Sequence, residues 1–214
     1  MIRSLARIDL EAPLRVVSGS RPLLARVGAL YEIRYDSLLA LPLPHEDCLP
    51  LAMDGSGRLL ASRESGDRLI RRYRGGTMDA TFPLIVDEVL SLAVDGDRVI
   101  AVKRDGTAVG FGEDTVPQVD FAWRLGARFR SCDARDGTIA LAGAETVLCD
   151  FQGRVLERMP GASKGRFARN GLWRLENRWT TEHGTLDPEA LGLAIVDDLV
   201  GDWAVGEALV RFEF

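Results

Sequence analysis

The stretch Leu92–Phe111 reads LAVDGDRVIAVKRDGTAVGF. Two apolar runs, Leu92–Val94 and Val99–Lys103, flank Asp95-Gly96. A second Asp-Gly, at Asp105-Gly106 with Thr107 behind it, leads into a third run, Ala108–Phe111. Asp-Gly between apolar runs signals a hairpin, because the turn needs positive φ and glycine has no Cβ to clash there. The passage therefore predicts three strands in an antiparallel meander, and Val119–Leu125 supplies a fourth.

The same pattern recurs along the chain. Asp54-Gly55, Asp95-Gly96, Asp136-Gly137 and Asn170-Gly171 stand 41, 41 and 34 residues apart, and Ser18-Gly19 fits the same slot. Three residues before each glycine stand Ala52, Ala93, Ala134 and Ala168, with Val16 in the first unit. After the turn comes an apolar segment ending in alanine: Leu23-Leu24-Ala25, Leu59-Leu60-Ala61, Val99-Ile100-Ala101, Thr138-Ile139-Ala140 and Asp202-Trp203-Ala204. In the fifth unit Arg174 takes that place, after Leu172-Trp173. A small side chain repeated at one position suits sheets that converge on an axis and pack face to face. Spacings of this size belong to propeller blades. No segment holds a 3.6-residue period for more than three turns, so helix should be scarce.

The expected fold is all-β: a β-propeller of six four-stranded blades spanning about 12–46, 47–88, 89–127, 128–163, 164–192 and 193–214. Ser4–Glu11 reads as a lone outer strand, and Leu209–Phe214 as the third strand of the last blade. Pairing the two would close the ring and leave no open edge there. The irregular fifth unit leaves five or seven blades open, and evenly spaced hairpins could also build a β-sandwich. The units resemble WD-repeat and related propeller blades, with Asp105-Gly106-Thr107 through Phe111 the best match. The Gly-His and Trp-Asp dipeptides of true WD repeats are absent. As a compact, divergent blade set without an enzyme signature, the chain is also similar to the small β-propeller component of bacterial MoxR-type ATPase and von Willebrand-domain conflict systems. That resemblance implies a non-catalytic part of a multi-component assembly.

Composition narrows the function classes. A formal net charge of −5 over 214 residues argues against nucleic-acid binding by phosphate neutralisation. Lys103 and Lys164 are the two lysines among 27 basic residues, a bias that fits a GC-rich bacterial genome. Cys48, Cys132 and Cys149 are too few and too scattered for a disulfide framework. Charges at Arg3, Asp9, Glu11 and Arg15 break the apolar run a signal peptide needs, and no run of roughly 18 apolar residues suggests a membrane helix. A cytoplasmic protein without membrane contact is expected.

Candidate chemistry is sparse. His45-Glu46-Asp47-Cys48 offers metal-ligand types, but adjacent residues seldom converge on one ion, so a solvated loop and no metal are expected. No phosphate loop and no Ser–His–Asp set can be drawn, so neither cofactor nor catalysis is expected. Asn177–Leu191 departs most from the repeat. It reads either as a recognition loop with Trp179 as an apolar anchor and Glu182 and His183 beside it, or as a degenerate blade with Trp179 in the core. Trp123-Arg124 and the arginines Arg166, Arg169, Arg174 and Arg178 set cations beside aromatics, as interface hot spots do. Arg174, in an alanine slot, needs a carboxylate, and Asp133 is a possible mate.

The leading expectation is a non-catalytic scaffold that binds an unidentified protein partner through Trp179, Glu182, His183, Arg174, Arg178, Trp123 and Arg124. The alternatives are a ligand-binding or enzymatic propeller using its central channel, and a structural piece of a phage or secretion assembly. The channel reading needs polar inner strands. These read mostly as Ala, Val, Leu and Met, with Asp133 and Arg169 the main exceptions.

Overall fold

The computed structural model describes residues 3–19, 21–112, 119–123 (main chain), 128–168 and 171–213. Among them, helix is limited to two short 3-10 turns, Val86–Glu88 and Glu189–Leu191, and no helix is long and apolar enough to cross a membrane. After β1 (Arg3–Asp9), unit one is the meander β2 (Arg15–Gly19), β3 (Leu23–Arg26), β4 (Ala29–Arg34) and β5 (Ser37–Leu41). Unit two follows as β6 (Cys48–Met53), β7 (Leu59–Arg63), β8 (Leu69–Arg74) and β9 (Thr77–Ile85). Unit three is β10 (Val89–Asp95), β11 (Arg98–Lys103), β12 (Ala108–Phe111) and β13 (Val119–Trp123). Unit four is β14 (Phe129–Arg135), β15 (Thr138–Gly143), β16 (Glu145–Asp150) and β17 (Val155–Pro160). Unit five is β18 (Lys164–Ala168), β19 (Gly171–Leu175), β20 (Trp179–Thr181) and β21 (Gly184–Thr185). Unit six is β22 (Asp198–Val200), β23 (Trp203–Val205) and β24 (Ala208–Glu213), with β1 in fourth place, antiparallel to β24 from Arg3↔Glu213 to Asp9↔Ala208.

The core lies between sheets. Apolar clusters fill the joints between units one and two, two and three, three and four, five and six, and six and one. The joint between four and five is different: a Cβ added at Gly165 would lie 3.7 Å from the Ala142 methyl and 3.9 Å from that of Ala140. The five repeated alanines Ala25, Ala61, Ala101, Ala140 and Ala204 are all essentially inaccessible, as crowding near an axis requires. They do not share one face, however. Ala61, Ala101 and Ala204 pack toward the preceding unit, while Ala25 and Ala140 pack toward the following one. The second strand of each unit is covered on both faces, so an alanine in either phase is buried.

Turn chemistry explains the phase slip. Both hairpins of units three and four have two-residue loops, but the glycine comes first in Gly96-Asp97 and second in Asp136-Gly137. Counting back from the glycine therefore aligns Ala93 with Ala134, whereas the ladders align Ala93, opposite Ile100, with Asp133, opposite Ala140. The Ser18-Gly19 slot is corrected too. It is not a turn but the end of β2, which runs parallel to β6 through Ser18↔Ala52 and Gly19↔Met53. A Cβ on Gly19 would sit 3.0 Å from the Met53 carbonyl oxygen, tighter than an ordinary contact, so this close approach favours glycine.

The meander order fixes two faces. Turns between first and second strands, and between third and fourth, emerge on one side, the turn face. The second-to-third links and the unit-to-unit links emerge on the other, the connection face. There the links are tied by main-chain bonds: Gly28 N–H to the Cys48 carbonyl at 2.8 Å, Glu64 to Asp47 at 2.9 Å, Arg104 to Glu88 at 2.8 Å and Ala162 to Gly143 at 3.1 Å.

Candidate functional site: the central cavity

Apart from β2 and β6, which also pair with each other, a first strand ladders on one edge only, and its other edge must find partners or lose hydrogen bonds. Polar side chains of the neighbouring first strand supply them. The Ser91 hydroxyl accepts from Cys132 N–H at 3.0 Å, and Ser131, at the equivalent place one unit on, accepts from Gly165 N–H at 3.1 Å. Ser18 accepts from Val94 N–H at 3.0 Å, and Asp133 Oδ2 from Phe167 N–H at 2.7 Å. Around the turns, Asp95 accepts from Gly137 N–H at 2.6 Å, the Gly96 carbonyl from Gly55 N–H at 2.7 Å, and the Ala168 carbonyl from Arg135 at 2.8 Å. The first strands are thus stitched to one another around the axis.

They enclose a cavity of about 630 Å³ that opens on the turn face. Its walls come from β2, β10, β14, β18 and β22; the parallel pairing with β2 keeps β6 out of the lining, though Gly55 of its turn reaches the rim. The deepest lining residues are Leu92, Asp133, Arg166 and Leu199, with Val16. The rim carries Arg21, Tyr35, Asp95, Asp136, Asp202 and Arg211. Charge along the channel is therefore richer than the apolar reading of the inner strands suggested.

Arg166 organises the floor. Its Nε and Nη2 donate to the two oxygens of Asp198 at 2.8 and 3.0 Å, and its Nη1 donates to the Cys132 and Gly165 carbonyls, both at 3.2 Å. Lys164 Nζ adds a contact to Asp198 at 3.3 Å. Burial alone would raise the Asp198 carboxyl, but Arg166 outweighs it and holds the group below the usual range. Burial likewise works against the Arg166 charge, and Asp198 with Asp133 more than restores it. Asp133 has no such bidentate partner. Burial pushes its carboxyl above the ordinary range, offset only in part by Arg166 and by the N–H groups of Phe167 and Ala134.

Tyr35 is the exposed aromatic of the rim, 92% accessible. It sits in a two-residue β4–β5 loop at φ +54, and the matching loop in unit two has Gly75 at the same φ. Unit one thus carries a bulky side chain where the backbone favours glycine.

The residues expected to bind a partner do not come together. Trp179 is no exposed anchor: it is buried at 2%, packs with Leu186, Leu193 and Val196, and donates Nε1–H to the Val196 carbonyl at 3.0 Å. Glu182 and His183 are exposed on the turn face, 3.5 Å apart. Arg174 and Arg178 lie toward the opposite, connection face. Arg174 does not pair with Asp133; it reaches Glu176 at 3.5 Å and the Pro160 carbonyl at 3.1 Å. The arginine beside Asp133 is Arg166. Trp123 ends β13, opposite Ala108, and Arg124 and Arg169 lie outside the described residues. His45 is not loosely solvated: its Nδ1 is 2.7 Å from Asp47, and its ring meets Tyr73 edge-on at 5.7 Å. No group of three potential metal ligands forms among the described residues.

No family model and no curated protein matches the chain. Solved structures do. Virginiamycin B lyase from Staphylococcus aureus superposes with a TM-score of 0.53 at 12% identity, over 86% of this chain and 72% of that one. BBS1N, in a crystal structure of its complex with ARL6DN, gives 0.54 at 13% identity over 95% of this chain and 78% of that one. BamB from Moraxella catarrhalis gives 0.49 at 15% identity over 82% and 61%. At such identities the likeness concerns fold, and the fold is a β-propeller.

Proposed function

We propose that this chain is a non-catalytic recognition module that binds a protein partner on its turn face, around the mouth of the central cavity. Tyr35 carries the reading. A non-glycine residue in the left-handed region costs roughly 1–2 kcal/mol, and strain of that kind tends to be kept where it serves a site. Here it holds an aromatic ring in solvent at the rim of a cavity whose walls are already stitched. Exposed tyrosines with few rotamers are common anchors of protein interfaces, and a pre-ordered surface lowers the ordering cost of binding. The likeness to BBS1N, a propeller seen with another protein, adds support by fold analogy alone. The resemblance to the small propeller of MoxR-type systems suggests a bacterial multi-component assembly as the setting.

The test compares proteins captured from source-cell extract by the wild type, by Tyr35→Gly, and by a connection-face double variant, Arg174→Ala/Arg178→Ala. Tyr35→Gly relieves the strain and should melt at or above the wild type. The reading expects it to lose the captured partner while the double variant keeps it. A partner that survives Tyr35→Gly and is lost in the double variant overturns the turn-face assignment.

A further inference from the structure

From a comparison of the six outer strands we infer that β5 (Ser37–Leu41) accepts an extended, uncharged segment of a protein partner, which adds to unit one as the strand beyond β5. The inference rests on the protein-recognition reading above and names the segment recognised.

The outer strand of each unit leaves one edge unpaired, and proteins guard such edges with charge, proline, bulges or brevity. Five of the six outer strands here are guarded. β1 carries Arg3, Arg7 and Asp9 and a register shift at Ser4/Ala6. β9 carries Asp79 and Pro83, and its ladder with β8 shifts twice. The ladders of β13 and β17 each carry a shift, and β17 adds Glu157, Arg158 and Pro160. β21 is two residues long. β5 has none of these features. Its sequence is SLLAL, and its ladder with β4 runs unbroken from Leu30↔Leu41 to Arg34↔Ser37.

The open edge is already ordered. Arg34 and Ser37 close a two-residue loop, and bonded and unbonded pairs alternate along an antiparallel ladder. Leu38 and Ala40 therefore turn their N–H and C=O away from β4. Ile33, opposite Leu38, correspondingly gives its N–H to the Pro22 carbonyl on its far side, at 2.9 Å. Among the described residues, no main-chain bond from a loop or turn reaches Leu38 or Ala40. Leu38 packs into the joint with unit six and Leu41 into the joint with unit two, which holds the strand in place. Ser37, Leu39 and Ala40 stay exposed, Leu39 at 41%. An added strand satisfies the outward groups by main-chain bonds and covers Leu39 on one face and Ala40 on the other, which calls for apolar residues rather than charges. The length of the edge decides the occupant. Five residues span about 17 Å. A second copy meeting edge to edge gains little past that length, because the flanking outer strands β1 and β9 are charged and irregular, while a stable interface buries about 800 Å² per partner. A single extended chain fits the edge as it is, and leaves on the turn face beside Tyr35, in the loop ahead of β5.

The experiment titrates the full chain with the capped peptide Lys-Thr-Val-Val-Val-Thr-Lys, and with the same peptide methylated on its valine nitrogens, while following amide shifts and hydrogen exchange at Leu38 and Ala40 by NMR. Saturable shifts and slowed exchange at those two amides, with the unmodified peptide alone, are expected. Ala40→Pro removes an outward N–H but no ladder bond, and Leu39→Lys sets a charge on the edge. Each should melt near the wild type and weaken the peptide roughly tenfold or more. If the proline variant does not fold, Leu39→Lys decides. Equal binding of the methylated peptide, shifts confined to other units, or affinity unchanged in a folded variant overturns the inference. Concentration-dependent dimerisation of the wild type that Ala40→Pro abolishes overturns it as well, by making a second copy the occupant. A peptide that ignores β5, with Tyr35→Gly still losing its captured partner, would sink this inference alone. A peptide that adds to β5, with capture indifferent to Tyr35→Gly, would sink the turn-face reading instead.

Discussion

Asp133 and Asp150 carry the same carboxyl into opposite environments. Burial raises Asp133, whereas the N–H groups of Arg154 and Gln152 and the Arg154 guanidinium hold Asp150 low. A raised folded pKa gives a contribution to stability that is complete at low pH and is lost as pH rises through it; a depressed one is complete at high pH and is lost as pH falls. Asp133→Asn, whose amide keeps one of the two oxygens that accept main-chain N–H, should therefore compare best with the wild type at neutral pH and lose ground to the wild type on acidification. Asp150→Asn should melt below the wild type at neutral pH, and that deficit should shrink in acid. Thermal melts from neutral pH down through the carboxylate range check both signs. Asp150 belongs to a loop seen twice. In Asp54–Arg58 and Asp150–Arg154 the aspartate accepts main-chain N–H from residues two and four ahead, and the arginine Nε at 2.6 and 3.0 Å. The glycine at positive φ is Gly57 in one and Gly153 in the other. Asp54-Gly55 marks the right loop but the wrong glycine, because the loop follows an Asp-x-x-Gly-Arg pattern in which the later glycine takes the positive φ. The thiols are simpler. Burial lifts Cys48, Cys132 and Cys149 to about 12. All three should resist alkylation in the native state and react quickly in guanidinium.

At the scale of elements, unit five shows where local pattern stops informing. Its first hairpin follows the repeat, but β20 and β21 have only three and two residues, and Leu186–Val196 then covers the joint to unit six. Trp179 closes that joint from within. Sequence alone could not choose between an exposed anchor and a core ring, because the polar neighbours Glu182 and His183 are the same in both cases. What decides it is Val196, seventeen residues ahead, whose carbonyl accepts the indole N–H. Trp179→Ala should cost about 3–5 kcal/mol by leaving a void. Trp179→Phe keeps most of the packing but strands a buried carbonyl, for about 1–3 kcal/mol. Chemical denaturation should rank wild type, Phe and Ala in that order, and an alanine variant as stable as the wild type would refute the core role. The floor of the cavity was hidden for a related reason. Asp198 and Arg166 are 32 residues apart on different first strands, and only the ring brings them to 2.8 Å. Ser91 and Ser131 do stand at matching places in the repeat, so their staple is legible in the sequence.

At the scale of the whole molecule, the repeat spacing foretold the four-stranded units because every unit solves the same problem, two buried faces on a narrow wedge. It could not foretell that β2 would pair with β6 and that the axis would be lined from five units, since that depends on one glycine, Gly19, without side-chain bulk. The same logic applies at the sheet joining β1 to β24. Removing Arg3–Asp9 deletes a whole ladder, and uncovers Leu209 and Val200, which pack beside Ala6 and Ile8 in the joint between units six and one. The exposed edge of β24 would then be free to pair with another chain. If units six and one depend on this strand, a chain lacking residues 3–9 should lose most of its thermal stability and oligomerise. A synthetic peptide of that sequence added in trans should restore both the monomer and the melting temperature. Were the shortened chain to melt with the full one and stay monomeric, β1 would be an ornament on a ring held by its other joints, and the stitching between first strands would have to account for the fold by itself.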